Sequence, residues 1–347
     1  MASMSPEPRP DRLIVFAPAK INLCLHVGDK RADGYHDLES LVAFVTAGDV
    51  LRIERAEGLS LSLTGPFAGE LSNGDDNLVL KAARLLAKRS NTACGARILL
   101  QKNLPVASGI GGGSADAAAA LRGLVRLWEL DLPRGDLLAI AAELGSDVPV
   151  CIESVSAWME GRGENISPVP QFPECWLVLV NPGVSVSTAD VFRKLGRPSH
   201  PPLEGGSKSS LSRSEKRISG RGETAVSEVS PSPKNSSLRE NFSTLPQGEG
   251  GNFDVASLVR FLTSTTNDLE APARAIAPEI NEVLAEIARE PGVLLARMSG
   301  SGATSFGIFG NGQAAHAAAK SIKSKRKDWW VTAAKLASPE LSKPQSA

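Results

Sequence analysis

Residues 105–116 read PVASGIGGGSAD, and few folds can accommodate such a run. Gly109, Gly111, Gly112 and Gly113 surrender backbone entropy for conformations that a Cβ disfavours. Upstream, 96–104 (ARILLQKNL) has strand character. Downstream, 115–130 is rich in alanine and leucine, with Gly123 as its breaker. The order strand, glycine loop, helix would aim backbone N–H groups and the positive end of a helix dipole at one point, which suits a phosphate. Two familiar phosphate loops fit badly. No lysine follows the glycines as G-x-x-x-x-G-K-[ST] demands. Counted from Gly109, the third glycine position of G-x-G-x-x-G is Ser114, although Glu129 and Asp131 stand near the expected acidic distance. On the loop alone, a flexible turn that lets a helix pack closely stays open.

Composition narrows the remaining classes. The 347 residues suffice for two domains, each with its own core. Thirty-eight basic residues balance 38 acidic ones, so no overall field recruits nucleic acid or an anionic membrane. Cys24, Cys94, Cys151 and Cys175 are far apart, without a C-x-x-C pair, which argues against a zinc site and a disulfide framework. A reducing, cytoplasmic setting is expected. No run approaches the roughly 18 apolar residues of a spanning helix. Residues 1–12 are Pro-rich and polar and read as a flexible tail.

Taken in order, 12–28 holds two β-rich runs, Leu13 to Ala17 and Ile21 to Val27, with Pro18 predicting a bend between two strands. Lys20 and Asn22 share one face by the period of two, either toward water or toward a site. An Asp-Gly turn at Asp33 and Gly34 precedes Tyr35, the chain's single tyrosine, and His36. The 3.6 period of 77–89 marks a packed helix without chemistry. A helix over 133–144 closes at Gly145, and Pro149 pushes Val148 toward extended geometry. Asp147 then sits between a helix end and a strand start, where it caps a turn or serves a site. WMEGRG at 158–163 reads as a turn, WLVLV at 176–180 as a buried strand, and Thr188 and Phe192 fall on a short helix.

Residues 199–250 contain 13 serines, charges of both signs and almost no apolar periodicity, the composition of a low-complexity, disordered insert. Order returns with helices near 270–276 and 278–290 and a strand at 293–298. SGSGA at 299–303 makes a second glycine turn inside a hairpin. A helix at 313–324, a basic patch at 323–327 and a strand at 329–333 follow.

These segments together resemble the GHMP kinase superfamily of galactokinase, homoserine kinase and mevalonate kinase. The resemblance runs from about Leu13 to Phe309, excluding the insert. It rests on PAKINLCLHVGDKRADGYHDLESL, DNLVLKAARLL, the glycine loop, GSDVP, NPGVSVSTADVF and ARMSGSGATSFGIF, in that order. The AK-N and DGYH pieces point to the branch acting on a cytidine diphosphate alcohol. The implied fold is α+β, a two-domain GHMP kinase fold with an active-site cleft between the domains and a disordered insert in the second. An N-terminal ATP-binding domain is expected over 13–160 and a C-terminal domain over 161–335, with 336–347 a flexible tail.

The resemblance implies transfer of the γ-phosphoryl of ATP to the 2-hydroxyl of diphosphocytidyl-methylerythritol, a step of the non-mevalonate route to isoprenoid precursors. Asp147 matches the catalytic aspartate and Lys20 its partner lysine. Pro105, Val106, Ala107 and Ser108 lead into the ATP loop, Gly109, Ile110, Gly111, Gly112 and Gly113 form it, and Ser114 and Ala115 open the helix. Tyr35 and Phe192 match positions that stack on cytosine, His36 and Asn22 positions that hydrogen-bond the cytidine diphosphate, and Thr188 is a further substrate position. Mg²⁺ is expected with ATP, held by phosphate oxygens rather than by a carboxylate cage. No nucleic-acid or membrane partner is implied, and the assembly is expected to be a monomer or homodimer. Ile110 and Ala115 depart from the common Leu and Ser, so a hydroxyl at 115 is lost. A sister kinase for mevalonate, homoserine or a sugar is the alternative, and a non-catalytic nucleotide-binding regulator another.

Overall fold

The opening strand sets the frame. The computed structural model describes residues 11–32, 34–93, 95–169, 172–196, 238–243, 254–337 and 339–346, so Asp33, Cys94, residues 1–10 and most of the insert lie outside it. In it, β1 (Arg12–Lys30) pairs antiparallel with β2 (His36–Ala56) over most of its length. Pro18 does not split β1 into two strands. It lies opposite Gly48, where the register shifts between Pro18 and Lys20, and such an irregularity spares the proline a ladder donor. The faces change there too. Leu13, Val15 and Ala17 join one core, whereas Ala19, Ile21 and Leu23 join another. Lys20 and Asn22 pair with Phe44 and Val42, residues of the first core, so both polar side chains are turned to that side.

The chain continues through β3 (Leu59–Thr64), α1 (Leu78–Arg89) and β4 (Gly95–Gln101), with β3 and β4 parallel around the crossover helix. Asn77 accepts a hydrogen bond from the Val79 N–H and so starts α1; Lys88 and Arg89 complement its C-terminal end. Helices α2 (Gly112–Leu127), α3 (Arg134–Leu144) and α4 (Val148–Glu153) follow, then β5 (Ala157–Gly161) and β6 (Asn165–Pro168). The alanines of α2 allow a close seat on the sheet. A Cβ on Gly123 would stand 2.4 Å from Ile53 Cδ1 and 2.9 Å from Val15 Cγ2.

Beyond these come β7 (Trp176–Asn181), α5 (Thr188–Leu195), α6 (Leu238–Ser243), α7 (Val255–Thr263), α8 (Glu270–Ile276) and α9 (Glu279–Ala288). The chain then runs through β8 (Val293–Met298), β9 (Ser305–Phe309), α10 (Gly312–Lys325), β10 (Trp330–Lys335) and β11 (Gln345–Ser346). One sheet has the order β11-β1-β2-β4-β3, with β5 on β2 and β6 on β5; the second has the order β10-β7-β9-β8. The second core, with Ile21, Leu104, Ile110, Phe261 and Phe306, is shared by residues of both sheets and so joins the two halves. The architecture is the expected α+β arrangement.

Several local expectations change. Residues 148–153 are helical rather than extended, because Pro149 occupies the first turn, where its missing N–H costs nothing. Residues 157–161 form β5, leaving the turn to 162–164. Within the low-complexity insert, α6 packs Leu238 and Phe242 on the second core, the Phe242 ring 5.7 Å from Trp158 and 5.1 Å from Phe261. The C-terminal segment is held rather than loose: Leu13 and Ile14 pair with Ser346 and Gln345, and Arg122 Nε donates to the Ser342 carbonyl at 3.0 Å.

Candidate active site

A cleft of about 620 Å³ opens between the glycine loop, the start of α1, the start of α5 and the 299–303 turn. The loop is shaped by its surroundings as much as by its glycines. Gly109 and Gly111 take φ of +76° and +63°, values that side chains with a Cβ resist. Ile110 between them is buried in the second core, and its carbonyl accepts from the Lys20 N–H at 3.0 Å. The 299–303 turn braces the other side. Ser299 Oγ donates to the Gly109 carbonyl (3.0 Å) and accepts from the Asn22 N–H (3.1 Å), while the Thr304 N–H donates to the Ser108 carbonyl (3.1 Å). The approach excludes larger residues: a Cβ on Gly109 would lie 2.5 Å from the Ser299 carbonyl oxygen, and one on Gly300 2.6 Å from that of Gly109.

At the loop's end, Gly111 is the left-handed cap of α2, and the first turn of the helix faces the cleft through Gly112, Gly113 and Ser114. Ala115 points into the helical core and does not line the cleft. Lys20 runs along the loop: a Cβ on Gly111 would stand 3.2 Å from Lys20 Cβ and 3.3 Å from its Cε. Its ammonium ends 2.8 Å from Asp147 Oδ1, with the lysine side chain 4% and the aspartate side chain 38% exposed. Asp147 occupies the N-cap position of α4 without making a side-chain cap bond, so its carboxylate is not consumed by capping. The pair joins a nearly buried cation to a carboxylate still open to the cleft.

Asn22 also lines the cleft; its side-chain amide donates to Ser40 Oγ (2.8 Å), which donates to the Cys24 carbonyl (2.6 Å). Thr188 and Phe192 line the cleft from α5, the Thr188 hydroxyl 2.8 Å from that of Ser301. His36 and Tyr35 are not among the lining residues. His36 stacks on Phe192 with ring centroids 5.7 Å apart, its Nδ1 3.1 Å from the Gly28 carbonyl. Tyr35 is 57% exposed, with the Arg162 guanidinium 5.2 Å over its ring.

Other lining residues escaped the sequence reading. Lys102 and Asp116 sit beneath the first turn of α2, Asp76 and Asn77 bring the start of α1 to the cleft, and Ser301 comes from the second glycine turn. Lys102 stands three residues before the 105–116 run and Asp116 is its last residue, but nothing in their spacing marked them as partners.

Sequence comparisons give the family. The family model described as GHMP kinases N terminal domain matches residues 77–154, and GHMP kinases C terminal matches 252–328. A protein of Cereibacter sphaeroides named 4-diphosphocytidyl-2-C-methyl-D-erythritol kinase is 47% identical over 92% of this chain and 98% of its own length. The chain belongs to the GHMP kinases. As a GHMP kinase it is a phosphotransferase that uses ATP. A crystal structure of a 4-(cytidine 5'-diphospho)-2C-methyl-D-erythritol kinase is similar to this GHMP kinase with a TM-score of 0.65 at 28% identity, covering 94% of this chain and all of that one. A homoserine kinase from Cytophaga hutchinsonii reaches a TM-score of 0.67 at 17% identity over 99% of each chain, so the shared GHMP kinase fold does not by itself select an acceptor.

Proposed function

We propose that this kinase transfers the γ-phosphoryl of ATP to the 2-hydroxyl of 4-diphosphocytidyl-2-C-methyl-D-erythritol in the cytoplasm. The observation that carries the proposal is the Lys20–Asp147 pair set beside the glycine loop in one cleft, and the names of the chain's relatives supply the acceptor. Phosphoryl transfer asks the protein mainly for positioning and charge stabilisation. In this reading the N–H groups of 109–114 and the dipole of α2 hold the phosphates. Asp147 accepts the acceptor hydroxyl's proton, and Lys20 steadies the negative charge that develops on that oxygen.

Mg²⁺ would enter with the nucleotide. In this reading the ion is carried mainly on phosphate oxygens. When bound it would neutralise phosphate charge. The protein's part is to orient the two substrates.

At the acceptor end Phe192, braced by His36, offers a face for the cytosine ring, and Tyr35 is the proposed second face. Asn22 and His36 are assigned to the cytidine diphosphate and Thr188 to its neighbourhood. A panel of acceptors with ATP tests the reading: turnover is expected with the cytidine-containing alcohol, and a preference for mevalonate, homoserine or a sugar would overturn it.

A further inference from the structure

Three buried charges beneath the first turn of α2 play no part in the reaction outlined above. Lys102 Nζ lies 2.5 Å from Asp49 Oδ2 and 2.7 Å from Asp116 Oδ2, with side-chain exposures of 2%, 0% and 3% for Lys102, Asp49 and Asp116. Asp49 Oδ1 is well supplied, accepting from the N–H groups of Asn103 (2.6 Å) and Leu104 (2.9 Å). Asp116 Oδ1 is buried without a hydrogen-bond partner. If both carboxylates are ionised, one ammonium serves two negative charges and the cluster carries a surplus of one.

That surplus lies where phosphates are to bind. Lys102 and Asp116 line the cleft beside Gly112, and a Cβ on Gly112 would be 3.0 Å from Lys102 Nζ and 3.8 Å from Asp49 Oδ2. A polyphosphate on the loop and an ionised Asp116 would repel each other across a region with little water to screen them. We propose that Asp116 is a proton-binding residue of the nucleotide site, taking one proton from solvent onto its carboxylate as a polyphosphate settles on the glycine loop. The step forms one O–H bond and moves the cluster from a net charge of −1 to zero; Lys102 stays an ammonium bonded to Asp49. This inference rests on the reading that the loop holds nucleotide phosphates.

The surroundings favour such a proton. Burial pushes the Asp116 carboxyl up to about 7, Lys102 opposes the rise, and the Asp49 carboxylate, within hydrogen-bonding reach, adds to it. Asp49 is thus an acceptor for the new O–H. Other groups around Asp116 are Lys20 and Asp147, which offset each other, and Cys151 on α4, whose thiol burial drives to about 12 and keeps neutral. Asp76 lines the cleft ahead of α1, and Arg122 of α2 donates to the carbonyls of Phe16 and Cys151. Added phosphate charge raises the carboxyl's proton affinity, so by linkage nucleotide affinity falls as pH rises above neutrality, by up to about tenfold per pH unit.

Isothermal titration of the full chain with Mg–ADP, in buffers of equal pH but different ionisation enthalpy, counts the protons. Wild type is expected to exceed Asp116→Asn by a substantial fraction of one proton near pH 7.5, and the variant's affinity to change less between pH 7 and 9. Equal uptake in both would overturn the proposal. Difference infrared spectroscopy of the wild type provides a check that needs no variant: a neutral carboxyl band should grow on nucleotide binding, and its failure to appear would also overturn it. Binding without extra proton uptake refutes this inference alone, whereas no binding of Mg–ADP refutes the loop reading together with it.

Discussion

The Lys20 ammonium and the Asp147 carboxylate meet at 2.8 Å, joining the middle of β1 to the start of α4. The lysine is held along its length by the glycine loop, so the carboxylate is aimed from one side by a cation that has little freedom to leave. Asp147→Asn keeps the shape and removes the proposed base. We predict a fall in kcat of about a thousandfold with nucleotide affinity nearly unchanged. Single-turnover rates beside nucleotide titration check this, and a rate near wild type would remove Asp147 from the proposed role.

Phe192 tests the acceptor end. Its replacement by alanine removes the ring that lines the cleft and leaves His36 unstacked. Loss of one base–aromatic contact is worth about 1–3 kcal/mol, so kcat/KM for the cytidine acceptor should drop about tenfold or more while KM for ATP holds. A uniform effect on both substrates would show that the ring supports the cleft rather than the base.

The buried thiols give a pH prediction. Burial drives Cys24 up to about 11 and Cys151 and Cys175 up to about 12, from 9.0. Their folded proton affinity exceeds that of the unfolded chain, so this contribution is complete below pH 9 and disappears as pH climbs through 11 to 12. The slope is at most about 1.4 kcal/mol per thiol per pH unit. Alkylation mapped by mass spectrometry at pH 8 should spare all three in the native protein and modify them after denaturation. Rapid native labelling of any one would contradict its burial.

Helix α6 separates two parts of the insert. Phe242→Ala should lower stability by about 2 kcal/mol, because the ring sits edge-on to Trp158 and Phe261. Deleting 199–236, where composition offers little to bury, should leave kcat and Tm close to wild type. Thermal melts and turnover of the two variants distinguish a docked helix from a dispensable tract.

Much of the site could be read from local chemistry. Four glycines next to a helix start are expensive unless something must approach the backbone, and the alternation of Lys20 and Asn22 set both on one face. What remained hidden depended on distant partners. Pro18 reads as a break until Gly48 stands opposite it. Lys102 resembles any lysine at a strand end until Asp49, some fifty residues earlier, and Asp116 close over it. Phe242 lies in a serine-rich setting that masks its fit to Trp158, and Tyr35 beside His36 does not reveal that only Phe192 of that aromatic set lines the cleft.

The contact of the Gly109 region with Ser299 and Gly300 bears on how this enzyme could be divided. A fragment ending before β8 would contain every residue of the glycine loop and still lack the surface that moulds it. If the chain were cut between α5 and α6 and its halves expressed apart, nucleotide affinity should therefore return only on reassembly, which would make ATP binding a reporter of the two halves finding each other.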